Sequence, residues 1–185
     1  MKQQIRPSSR LIQRLLPSGD EPEPWGDHEK VWLRSVLGRF TTGVTVITAA
    51  GPEEPIGMTA NAFSSVSLDP PLVLVCLNAQ SRSGSDIRDA GHFAVNILAE
   101  AQQPLAKVFA RWDPHRFRDI DTFTSYTGAP ILAGALGYLD CTLHEQLTGG
   151  THSVLIGRVV AAGIAESHAS PLVFFDGGYR RLHPD

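Results

Sequence analysis

Residues 55–78 read PIGMTANAFSSVSLDPPLVLVCLN, and the rest of the chain is best read from this stretch outward. Gly57, Thr59, Asn61, Ser64, Ser65 and Ser67 make a small-residue, hydroxyl-rich turn between apolar runs. Asp69-Pro70-Pro71 stops it, and an apolar strand, Leu72 to Leu77, follows. A packed core has little use for so many hydroxyls and amides, because each buried polar group must find a partner. A ligand carrying many acceptors, such as a phosphorylated ring system, would satisfy them. A polar hairpin turn whose serines bond internally would do so as well.

Upstream, the β-branched run Val44 to Ala49 follows the Gly43 break and reads as a buried strand, with a turn at residues 51–55. Asp27 is placed as an N-cap, and Val31, Trp32, Leu33, Val36, Leu37 and Phe40 fall on one face at helical spacing. Residues 1–26 are set apart: PSGDEPEPWG (17–26) cannot support regular structure, so these residues are expected to form a flexible tail, with the domain proper spanning 27–185. Downstream, Ser81 to Ala90 reads as a short helix entered through serines and ended by Gly91. Phe93 to Leu98 is a strand, and residues 99–110 have helical composition with Pro104 early. Residues 111–133 look irregular. Two long strands follow. Ala135 to Leu147 is apolar mostly at odd positions, so one face is buried; His152 to Ala165 is apolar on both faces, as a central strand would be. The turn Thr148-Gly149-Gly150-Thr151 joins them, and short strands over 171–175 and 177–182 close the chain. This is a mainly β chain with a few helices, arranged as a closed or partly closed antiparallel barrel.

The chain has 185 residues, enough for one domain with a real core, and a net charge of -3 that offers no basic patch for nucleic acid. No apolar run approaches the ~18 residues of a membrane span, and no signal peptide is visible. Cys76 and Cys141 sit inside apolar strands, which fits buried free thiols and a cytoplasmic protein better than a disulfide or a metal site. The seven histidines show no pair at metal-ligand spacing. There is no G-x-G-x-x-G after a strand, no phosphate loop of the G-x-x-x-x-G-K-[ST] type and no G-x-S-x-G, so dinucleotide-fold, nucleotide-hydrolysing and serine-hydrolase readings lack a candidate.

Further pieces extend the pattern: GRFTTGVTVIT (38–48), SRS (81–83), GHFAVNIL (91–98), Gln102 and Phe109-Ala110, RF (116–117), GAPIL (128–132), LDC (139–141), GGTH (149–152), IGRV (156–159) and PLVFFDGGYRRL (171–182). Their order and spacing, with residues 55–78, resemble the flavin reductase-like family over roughly residues 30–182. The resemblance implies an antiparallel split β-barrel of the FMN-binding type. It also implies an NAD(P)H:flavin oxidoreductase that reduces free FAD or FMN with NADH or NADPH and supplies reduced flavin to a separate monooxygenase, working as a homodimer.

Carried over position by position, the resemblance assigns the flavin's polar edge and ribityl chain to Thr59, Ala60, Asn61, Ser64 and Ser65, partly through main-chain groups. It adds Cys76, Asn78, Phe109, Arg116 and Tyr179 as cofactor-binding positions. Ser81, Arg82 and Ser83 would receive the phosphate at a helix N-terminus, where free N–H groups and the helix dipole favour an anion; a plain serine N-cap is the structural alternative. His152 would lie by the nicotinamide as the catalytic residue, with Thr151 where the family often has Asp. Arg116 and Phe117, an exposed cation beside a core aromatic, would border the cleft. Two other readings share such a barrel: a flavin carrier or sensor without turnover, and a pyridoxamine-phosphate type oxidase.

Overall fold

Strands form where apolar and β-branched residues concentrate and stop where Gly, Pro and Asp interrupt them. The computed structural model describes residues 26–166 and 168–182. The chain divides into two units, residues 1–37 and 38–185. The tail expected over residues 1–26 lies, apart from Gly26, outside the described residues. In the first unit, α1 (Asp27–Leu37) forms as expected, but Asp27 is in its first turn and the Gly26 carbonyl accepts from Lys30 N. No residue of α1 is buried, and Val31, Val36 and Leu37 stay exposed.

The second unit carries β1 (Thr42–Gly43), β2 (Thr45–Ala49), β3 (Ile56–Ala60), β4 (Phe63–Leu68) and β5 (Pro71–Asn78). Next come α2 (Arg82–Ala90), β6 (His92–Ile97), a 3-10 turn (Glu100–Gln102), α3 (Gln103–Phe109), β7 (Thr122–Thr124) and β8 (Pro130–Leu132). The chain closes with β9 (Gly137–Gly149), β10 (His152–Ile164), β11 (Val173–Phe175) and β12 (Gly178–Arg180). A seven-stranded antiparallel sheet runs in the order β3-β2-β6-β9-β10-β5-β4. Its two edge strands, β3 and β4, are separated in sequence by only Asn61 and Ala62, so the sheet curls until its edges meet at a split. Among the described residues no helix is long and apolar enough to cross a membrane.

The curl encloses one core, built from Ile47, Val73, Val75, Leu77, Phe93, Val95, Cys141 and Leu155, and α2 closes it with Ile87. A second core lies on the other side of β2, where Val44 and Val46 pack with Leu98, Ala106, Phe109, Leu132 and Leu172. Strand β2 is therefore buried along its whole length. Asn96 and Thr48 are polar but fully buried, and both are satisfied. Asn96 Nδ2 donates to Val46 O (3.0 Å) and Thr48 Oγ1 (3.1 Å), its Oδ1 accepts from Leu132 N (2.8 Å), and Thr48 Oγ1 donates to Pro130 O (2.5 Å). This network clamps β8 onto the sheet. Asp140 does the same for residues 126–127, accepting from Tyr126 N, Thr127 N and Thr127 Oγ1.

The structure corrects several expectations. The hydroxyl-rich stretch is not one turn: Ser64, Ser65 and Ser67 lie in strand β4, whose far edge has no ladder partner among the described residues. Residues 111–133 are not wholly irregular, since β7 and β8 pair as a hairpin and β8 is buried. Strand β10 is central in the sheet, between β9 and β5, yet only one face is covered: Ser153, Leu155 and Gly157 are buried, while Ile164 is 89% exposed. In β9 the odd-position burial fails, because Asp140 is buried and His144 to Gly149 are all exposed. A register shift at His144, one extra residue in β9, coincides with the start of the exposed half of the strand. Cys141 is buried as expected; Cys76 is only half-buried.

Candidate functional site

Two segments distant in sequence meet at one end of the sheet: the end of β5 with the first turn of α2 that follows it, and the start of β10. The alternation along β5 turns Val73, Val75 and Leu77 into the core and leaves Leu74, Cys76 and Asn78 on the outer face. Register then decides their neighbours. His152 is opposite Asn78, Val154 opposite Cys76, Ile156 opposite Leu74, and Ser64 of β4 is opposite Leu74 on the other side. Ser64, Cys76, Asn78 and His152 thus share one face of three adjacent strands. Ala79 N donates to Thr151 O (3.1 Å), which ties the loop after β5 to the β9–β10 hairpin.

The loop turns into α2 through Ser81. Its Oγ accepts from Gly84 N (3.0 Å) and donates to Asn78 O (2.8 Å), an N-cap that also fixes the preceding strand end. Gly84 is needed here, because a Cβ would stand 2.6 Å from Asn78 O and 2.7 Å from Ser81 Oγ. Gly91, at φ 72, ends the helix as expected. Arg82 and Ser83 occupy the first turn, where amide groups have no helical acceptor. Ser83 is only 6% exposed and its hydroxyl bonds to no other described residue. The donors on offer are amides, a hydroxyl and a guanidinium, a set that fits a phosphate. His152 is exposed, with Nδ1 3.0 Å from Thr151 Oγ1.

The remaining expected residues lie elsewhere. Thr59 Oγ1 donates its proton to Ala106 O (2.7 Å), so this hydroxyl holds α3 on β3. Ala60 is buried in the barrel core, and Ser64 Oγ donates to Ser65 O (3.0 Å). Asn61 Nδ2 donates to Thr42 Oγ1 (3.3 Å), and Thr42 is opposite Phe174, itself opposite Tyr179. The Tyr179 ring meets that of Phe174 edge-on at 5.6 Å, and burial pushes its hydroxyl pKa up. Phe109 is fully buried, edge-on to Phe117 at 5.0 Å, and belongs to the second core. Both rings approach Gly57, where an added Cβ would lie 2.6 Å from Phe109.

Arg116 was expected to be exposed; it is 8% exposed. One Nη donates to the Gly57 carbonyl, and Nε donates to Asp113 O (2.9 Å). Burial lowers its pKa, while Asp113 and Asp86 act in the opposite direction. Arg116 therefore pins the segment after α3 across β3.

An open cleft of about 750 Å³ lies beside this segment, bounded by residues 50–56, by Arg82, Asp86, Asp89 and Ala90 of α2, and by residues 112–114 with Arg116. The Arg82 guanidinium lies over the Trp112 ring, 5.1 Å from its centroid. Sequence reasoning passed over Trp112 and Asp113. The signal was the WDP run at 112–114 just before Arg116, a turn that presents its aromatic outward.

Residues 37–183 match the flavin reductase like domain. The chain belongs to that family. Among its relatives, the reductase subunit HsaB of a flavin-dependent monooxygenase from Rhodococcus jostii is 43% identical over 153 residues, covering 83% of this chain and 78% of that protein. The fold agrees. Nitrilotriacetate monooxygenase component B from Mycobacterium thermoresistibile superposes with a TM-score of 0.82 at 40% identity, covering 85% of this chain and 88% of that one. The Streptomyces globisporus NADH:FAD oxidoreductase SgcE6, solved with NAD and FAD fragments, superposes with a TM-score of 0.80 at 38% identity, covering 88% and 98%. Within this flavin reductase family the outer face of β4, β5 and β10 and the first turn of α2 form the candidate site of the present chain.

Proposed function

We propose that this chain is the reductase half of a two-component system, oxidising NADH or NADPH, reducing free FAD or FMN, and releasing reduced flavin to a separate flavin-dependent monooxygenase. The observation that carries the reading is the meeting of Asn78, Ser81, Ser83 and His152, from segments some seventy residues apart, at one end of the sheet in a chain of this family. Flavin and nicotinamide supply the redox chemistry, a hydride passing between stacked rings. The protein's part is placement. The α2 first turn and Arg82 hold the phosphate, and Ser64, Cys76 and Asn78 offer a shallow, partly polar face to the ring system. His152 orients the nicotinamide from the same face, while Leu74, Val154 and Ile156 keep water away. Thr59, Ala60, Phe109 and Arg116 act from behind, by fixing β3, α3 and the cleft wall, and Asn61 and Tyr179 flank the opposite end.

The working unit is proposed to be a cytoplasmic homodimer, with residues 27–185 as the functional domain. The half-covered β10, whose Val160 and Ile164 are exposed, is the support for pairing. Light scattering at micromolar concentration should give twice the chain mass; a monomer mass rejects the dimer. The catalytic reading is tested by following NADH consumption with and without added flavin. A reductase shows saturable dependence on free flavin. No consumption under either condition would leave a carrier in its place.

A further inference from the structure

Arg116 carries a charge that no described carboxylate neutralises at contact. It is 8% exposed, and Asp113 and Asp86 act on it only from beyond ion-pair distance. Its Nε and one Nη are taken by the Asp113 and Gly57 carbonyls, and the second Nη bonds to no described residue. A buried cation ordinarily has an anionic partner, because leaving water without one is costly. The free nitrogen is not sealed in the interior. Arg116 borders two hollows, the cleft beside α2 and a pocket of about 460 Å³ against α3.

The two linings differ in charge. On the α2 side Glu53, Glu54 and Asp86 repel an anion. On the α3 side His115 and Arg118 stand with Arg116 against the one lining carboxylate, Asp113, and none of these side chains is in an ion pair with a described residue. Leu105, Val108 and Ile120 supply apolar wall, with Val108 left 42% exposed. Two guanidiniums beside an apolar wall suit a carboxylate that carries an apolar body, and the volume is that of a small-molecule site.

We infer that the pocket against α3 binds a small carboxylate with an apolar body, its charge held by Arg116 and Arg118 and its body against Leu105 and Val108. No residue lining this pocket belongs to α2, β4, β5 or β10, so the site is distinct from the flavin face and stays open when flavin is bound. A ligand there braces the segment that Arg116 pins across β3.

Thermal melting of the full chain with benzoate, with and without saturating FAD, tests it. Benzoate should raise the melting temperature saturably, with half the effect at about 1 mM, alike in both conditions. Benzyl alcohol, which lacks the charge, and inorganic phosphate, which lacks the apolar body, should each need about tenfold more. Arg118→Ala should raise the half-effect concentration about tenfold, the scale of one charge-assisted hydrogen bond, and Val108→Glu should abolish the effect. Both side chains are exposed, so both variants should melt as wild type without benzoate and reduce flavin normally. No benzoate effect, phosphate as effective as benzoate, or an unchanged response in Arg118→Ala would each overturn the inference. So would a benzoate effect that FAD removes, since Arg116 would then serve the flavin. Should either variant melt early, the contrast of benzoate with phosphate on the wild-type chain decides.

Discussion

His152 begins β10 opposite Asn78, exposed, with a hydroxyl rather than a carboxylate at its Nδ1. If its imidazole orients the nicotinamide, His152→Ala removes one hydrogen bond, about 1 kcal/mol, and lowers kcat/KM for NADH several-fold while flavin affinity holds. Unchanged NADH kinetics would make the residue structural. Cys141 belongs to a different kind of argument. Burial first, and the Asp140 charge second, push its thiol up to about 12 from an ordinary value of 9.0. A pKa raised by folding gives stability that is fully present below the unfolded value and is lost as pH rises through the folded one. Between pH 9 and about 12 the wild-type chain should lose stability faster than Cys141→Ala, by a slope approaching about 1.4 kcal/mol per pH unit. Denaturant midpoints measured across that range give the comparison, and parallel curves would refute it.

Helix α2 is central to the proposed site, and most of the helix was legible. Ser81 as cap and Gly91 as left-handed terminus follow from local chemistry, as does the buried strand β2 from its β-branched run. The hairpin into His152 was legible as a turn over residues 148–151, which the structure narrows to Gly150, at φ 63, and Thr151. Strand β4 was not, because its serines have turn propensity and only pairing with β5 makes them a strand. Contacts between distant segments were equally hidden. Nothing local says that the Thr59 hydroxyl will be taken by Ala106 O, or that Arg116 will be buried against the Gly57 carbonyl. Ser83 lies one turn before Ile87 on the buried face of α2, with an unbonded hydroxyl. Ser83→Ala should therefore leave the melting temperature within about 2 °C of wild type while weakening flavin binding by about fivefold. A melting temperature that falls with flavin affinity unaltered would show the hydroxyl to be a packing group and move the phosphate elsewhere.

At the scale of the whole molecule, every hydrophobic-core residue among the described residues comes from Val44 onward. A chain beginning at Gly38 should keep a cooperative melt and its β-sheet circular dichroism, and loss of either would make the preceding residues part of the folding unit. Strand β2 carries a further consequence. Its residues Ile47 and Ala49 belong to one core and Val46 to the other, and it pairs on both edges, with β3 and β6. Neither half of the molecule can open by itself and expose it. Its amide protons, above all those of Val46 and Ile47, should exchange with deuterium only through global unfolding, so their exchange rate measures the free energy of the entire fold. The outer strand β4 should exchange orders of magnitude sooner.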